Sequence, residues 1–284
     1  SLLGVDGNSF VLRAKHAYAF GEPELGPGKL ILEAGLIPDA WITAIEQPFD
    51  LRGHDATSSE RTGFFETSDL GATVGYSLLD DLVALRVSVT NGEGRNDVEH
   101  NRGKNTTTVL ATTPIKFTLF GEEARPSLHG GYRDGSLGVG RARNHRVFGA
   151  LTFDHPRIGL GLEFARAMGV TDNAGLDAQA LGVWVRGEPI ERGLGAFARY
   201  EQYDSNLDAD SDVAQTIQAG VYSDVLRHEA SHIRLYLAGE MGLRDTNAPE
   251  VPGVPAATEY QAVRLTIDAT GLFDPNRADE DSKW

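Results

Sequence analysis

The chain has 284 residues, no cysteine, and 26 lysines and arginines against 41 aspartates and glutamates, a formal net charge of −15. This excludes disulfide scaffolds, thiolate metal sites and cysteine nucleophiles, and it leaves no general basic surface for nucleic acid. No apolar run approaches the roughly 18 residues of a transmembrane helix, a test that β-barrels escape because their strands are apolar on one face only.

Residues 9–20 begin the alternation of a strand, with Phe10, Leu12, Ala14, Tyr18 and Phe20 set against Arg13 and Lys15. A Gly/Pro turn at 21–28 leads to 29–37, where Leu30, Leu32, Ala34 and Leu36 oppose Glu33. Periodicity then stops over 38–60, and a connection of that length reads as functional or disordered. It resumes as a hairpin at 69–79 and 83–89, turning at Asp80-Asp81, with Arg86 opposite the aliphatic face. A polar loop runs to about Lys104, and further strands are expected at 106–117, 125–133, 143–153, 158–168, 179–186, 194–203, 215–223, 231–244 and 259–273. Long polar connections, 171–178 among them, tend to alternate with short turns. The clearest strand is 231–244: Ile233, Leu235, Leu237 and Met241 fall on one face, and Arg234, Tyr236, Glu240 and Arg244 on the other. These patterns predict an all-β fold, an antiparallel transmembrane β-barrel of about 14 strands within roughly 12–18. It occupies 1–273 as one domain, and 274–284 is an acidic tail or the start of a continuation.

Gly35-Leu36-Ile37-Pro38-Asp39-Ala40-Trp41, with the acidic and aromatic loop that follows it to an arginine, resembles Gram-negative porins. The likeness is to those grouped with the phosphate-selective porin O and P family. Ser9–Ala14, Ser68-Asp69-Leu70-Gly71 and Val87–Gly94 extend it over about the first third of the chain. The resemblance implies an outer-membrane barrel, often a homotrimer, in contact with lipid and lipopolysaccharide and passing small solutes or ions. Two departures stand out. The acidic balance lacks the basic ladder of phosphate-selective members, so phosphate selectivity is not carried over. Residues 274–284 follow a closing strand that the family ends on an aromatic, and the family also leads one to expect a strand before Ser9.

The expected function is passive diffusion through a pore whose selectivity is set by lumen charges. The pore-lining candidates are Arg13, Lys15, Glu33, Arg86, Arg186, Arg199, Glu201, Arg234, Glu240, Arg264 and Asp268. The 38–60 segment, with Trp41, Glu46, Asp50, Arg52 and His54, is the candidate constriction loop, and the overall acidity points to cation preference. Trp41, Trp184, Tyr76, Tyr200, Tyr222 and Tyr260 are candidates for interfacial girdles. Asp208, Asp210 and Asp212 alternate as calcium ligands do but lack the glycine and later glutamate of an EF-hand, which favours a solvated acidic loop. No enzyme is expected: Ser231 and His232 are adjacent on a strand and face opposite sides. The alternatives are a non-transporting barrel that anchors an envelope complex and a soluble ligand-binding β-sandwich.

Overall fold

The structure, a computed structural model, describes residues 15–92, 103–137, 142–170, 173–190, 193–210, 212–228, 231–245 and 259–270. The strands are β1 (Ala17–Gly21), β2 (Glu24–Leu25), β3 (Gly28–Pro38), β4 (Ser68–Leu78), β5 (Val83–Thr90), β6 (Asn105–Thr112), β7 (Phe117–Leu119), β8 (Glu122–Asp134), β9 (Ser136–Leu137) and β10 (Ala142–Arg143). They continue with β11 (His145–His155), β12 (Ile158–Val170), β13 (Asn173–Ile190), β14 (Leu194–Asp204), β15 (Val213–His228), β16 (Ser231–Arg244) and β17 (Glu259–Thr270). Two helices, α1 (Ala40–Phe49) and α2 (Ser58–Arg61), lie between β3 and β4.

The fold is all-β and antiparallel. One 15-stranded sheet runs β1-β3-β4-β5-β6-β8-β11-β12-β13-β14-β15-β16-β17, with β2 continuing along β3 and β7 along β8; among the described residues β9 and β10 pair only with each other. Pro114 follows β6 and interrupts the predicted 106–117 strand, because proline cannot donate to a ladder. The predicted loop 171–178 is mostly strand: β13 begins at Asn173, and the register shift between Met168 and Val170, at Gly169 with φ 89°, absorbs the irregularity.

The sheet is not closed into a barrel. Among the described residues β1 pairs only with β3 and β17 only with β16. Alternation along a strand fixes which face each side chain takes, and it carries no information on whether the first strand meets the last. With 13 strands along the path and every neighbour antiparallel, β1 and β17 run in the same direction.

The two faces are reversed relative to a water-soluble sheet. Leu151, Leu162, Val221, Leu237 and Leu265 are 55%, 41%, 49%, 52% and 73% exposed, whereas Glu163, Arg199, Gln218 and Glu240 on the opposite face are 4%, 3%, 1% and 4% exposed. The polar face is covered by residues 39–67, which touch it from β6 to β17. The sheet therefore curves around this segment, with its aliphatic side outward.

Candidate functional site

The segment enters at Asp39 and returns at Thr67, where the Asp39 N–H donates to the Thr67 carbonyl at 3.0 Å. Asp39 caps α1: its Oδ1 accepts from Trp41 N at 2.9 Å and Ile42 N at 3.3 Å. Its Oδ2 pairs with Arg133 of β8, which also bonds Thr107 and lies 4.4 Å over the Phe65 ring. Trp41, Ile42, Ile45 and Phe49 form one buried stripe of α1. Trp41 packs on Phe148 at 4.6 Å and donates from Nε1 to Ser59 Oγ at 3.0 Å, and Ser59 in turn donates to the buried Glu163. Asp50, in the left-handed conformation at φ 45°, ends the helix.

Two clusters of charge pin the segment to β13–β17. In the first, Asp55 accepts from Arg61 at 2.7 Å and Gln218 at 2.8 Å, Arg264 lies 3.5 Å away, and Arg61 also pairs with Glu201 at 3.3 Å and Glu240 at 3.7 Å. Arg199 pairs with Glu201, and Tyr260 donates to Glu240 at 2.5 Å. Burial opposes the charge on Arg61, but Glu201, Asp55 and Glu240 overcome it and raise the guanidinium's pKa further. In the second cluster Arg234 bonds Asp224 at 2.5 Å and pairs with Asp50 at 3.3 Å and Glu188 at 3.7 Å; Arg186 pairs with Asp154 at 3.4 Å and Asp50 at 3.9 Å. Where both partners are largely buried, as in Arg61–Asp55 and Arg234–Asp224, such pairs add little net stability over apolar residues yet are costly to break singly, so they fix position; Asp50 is half exposed, and its pairs hold less firmly. Gly182 makes room for the segment: a Cβ there would collide with the Ser58 hydroxyl.

Nine of the eleven pore-lining candidates sit on the inner face: Glu33, Arg86, Arg186, Arg199, Glu201, Arg234, Glu240, Arg264 and, beside Gly53, Asp268. Lys15 does not; it is exposed ahead of β1, where its carbonyl accepts from Ser68 Oγ at 2.6 Å. Tyr18 and Phe20, expected on the oily face, pair with Gly35 and Glu33 and so share the inner face. Arg13, residues 97–100 and the tail 274–284 lie outside the described residues.

Within the expected constriction loop, Arg52 pairs with Glu60 and with Glu46 at 3.3 Å, stapling the segment to itself. His54 packs between Phe197 and Tyr236, with centroids at 5.0 and 5.4 Å, and burial lowers its pKa. The girdle assignment is corrected for Trp41, Trp184, Tyr222 and Tyr260, all of which are buried on the inner side. Asp208 and Asp210 are exposed, while Asp212 is turned inward to accept from Ser205 Oγ at 2.7 Å; no group of three metal-ligating side chains converges among the described residues.

The segment leaves a gap on the other side. Between α1 and β5, β6, β8 and β11 lies a cavity of about 210 Å³ that reaches the short-turn rim at Asp81. The overall charge of −15 is not that of the inner face, where buried Arg133, Arg146, Arg186, Arg199 and Arg234 stand among the carboxylates. No protein-family model matches the sequence, and no curated protein matches it.

Proposed function

We propose that this chain is a porin-type protein of the bacterial outer membrane, a curved β-wall that admits small hydrophilic solutes or ions past an internal constricting segment. The observation that carries the reading is the reversal of faces: aliphatic side chains stand outward on strand after strand, and charged ones are packed inside. Soluble monomers rarely expose a contiguous apolar patch beyond a few hundred Å², whereas lipid-facing strands are apolar outward and polar inward. The lopsided connections agree. The 156–157 turn lies on one rim, and the 39–67 segment and the long 205–212 connection lie on the other.

The test is solubility and conductance together. Purified protein should require detergent or lipid to remain monodisperse and should give discrete single-channel steps in a planar bilayer. A folded, monodisperse protein in plain buffer rules the membrane reading out. A second reading, a non-transporting barrel, is favoured by the two ion-pair clusters that seal the β13–β17 side of the lumen; folded protein in lipid without conductance steps selects it.

A further inference from the structure

The cavity beside α1 has a distinct chemistry from end to end. Register places its depth. Arg125 pairs in the ladder with Asp154, next to the turn after His155, so these two stand at the mouth. Arg86 is level with Val109, Val109 with Gly131, and Gly131 with Phe148, which packs on Trp41; Arg86 therefore stands at the closed inner end. Its guanidinium makes no hydrogen bond among the described residues and meets only Glu33, at 3.9 Å. Between mouth and end the wall is hydroxyl, imidazole and amide. Thr113 and Ser127 bond each other at 2.8 Å and Thr152 meets His129 Nε2 at 3.0 Å, each hydroxyl keeping spare capacity. His129 is 7% exposed and its Nδ1 has no partner among the described residues. Gln47 lines the cavity from the helix side. Small apolar residues such as Ala84 and Ala111 lie between these groups.

On the reading above, that the lumen conducts solutes, we propose that this cavity is a binding subsite for a small polyhydroxylated carboxylic acid, its carboxylate on Arg86 and its hydroxyls on the Thr/Ser/His/Gln wall. A planar guanidinium fork whose charge partner, Glu33, stands at 3.9 Å without a hydrogen bond keeps its donors for a carboxylate, taken bidentately. A wall of hydroxyls, imidazole and amide broken by small apolar patches suits alternating C–O–H and C–H surfaces. At about 30 Å³ per water the space holds about seven waters, the size of one sugar-acid molecule.

The test is titration calorimetry of the detergent-solubilised full chain with sodium glucuronate, glucose, acetate and inorganic phosphate. Glucuronate should bind at least tenfold more tightly than each of the other three. Arg86→Gln should lose at least tenfold of that affinity and Gln47→Ala, on the accessible helix face, several-fold. Lys116→Gln, which removes an equal charge near the same rim but outside the cavity, should change nothing. Equal binding of glucose or acetate, tighter binding of phosphate, or an unchanged Gln47→Ala protein overturns the subsite. The same samples go to a planar bilayer: conductance steps without glucuronate binding sink the subsite alone, and binding without steps sinks the channel reading alone.

Discussion

Asp55 is the carboxylate on which the docking of the internal segment turns, because four groups from three strands and from α2 meet it. Burial pushes its pKa up, and the Arg61 and Arg199 guanidiniums with the Gln218 amide outweigh that and hold it below the usual carboxylate range. A depressed folded-state pKa lends stability that is complete above the unfolded value, near 3.8, and is lost as pH falls through the lower folded value. His54 adds an earlier step. Burial holds its pKa below 6.5, so the undocked form takes up the proton first and docking weakens as pH falls from 6.5 toward the folded value. In a variant whose only tryptophan is Trp41, emission should red-shift in two stages, a small one below pH 6.5 and a larger one below the carboxylate range. His54→Gln should remove the first. Asp55→Asn should remove the second and weaken docking at neutral pH by about 3 kcal/mol, the low end for breaking one partner of a buried pair. A single transition centred near pH 7 in the parent would contradict both assignments.

At the scale of the element, β16 shows what periodicity can carry. Its bounds, 231–244, and its faces were legible, since Leu237 and Met241 stand outward while Arg234, Tyr236 and Glu240 are buried. Parity would also have placed Trp184 with Arg186 and Tyr260 with Arg264 on the inner face, in place of a girdle. The helix α1 was harder to read because its signals are local. Asp39 and Asp50 cap ten residues, the apolar stripe at 41, 42, 45 and 49 is short, and Pro48 inside it argues against a helix. What the segment touches could not be read at all: Ser59 meets Glu163 across 104 residues, and Asp55 meets Arg264 across 209. Such contacts come from the curvature of the whole sheet and not from any local pattern. The outward face of β16 yields a direct prediction. Leu237→Arg should cost about 2–4 kcal/mol in reversible folding into lipid vesicles, as arginine does near a bilayer midplane. A change below 0.5 kcal/mol, the usual size for a solvent-exposed surface substitution, would place that face in water.

For the whole molecule the decisive features are the two edges, β1 and β17, that have no further partner strand among the described residues. On the membrane reading proposed above, the core of a bilayer has no water to satisfy the backbone groups along β1 and β17, so the wall would have to close. The described strands are odd along the path, and β1 and β17 are parallel to each other. Joining them directly would make one parallel pair in an otherwise antiparallel wall. One further strand between them makes every pair antiparallel and the count even, as in single-chain bacterial barrels. The chain's lack of cysteine makes the choice measurable. Cysteines would replace Ala19 on β1 and, one at a time, Val263, Leu265 and Ile267 on the outward face of β17. With a strand between the edges, their separation is two interstrand spacings, about 10 Å. That is too far for a disulfide, whose Cβ atoms must come within about 4.5 Å. Protein folded in lipid should therefore resist oxidation to an intramolecular disulfide at every pair and be bridged within one chain by a bismaleimide of about 10 Å reach. A disulfide at any pair would show direct parallel closure, and bridging only between chains would show that the edges are completed by a second copy.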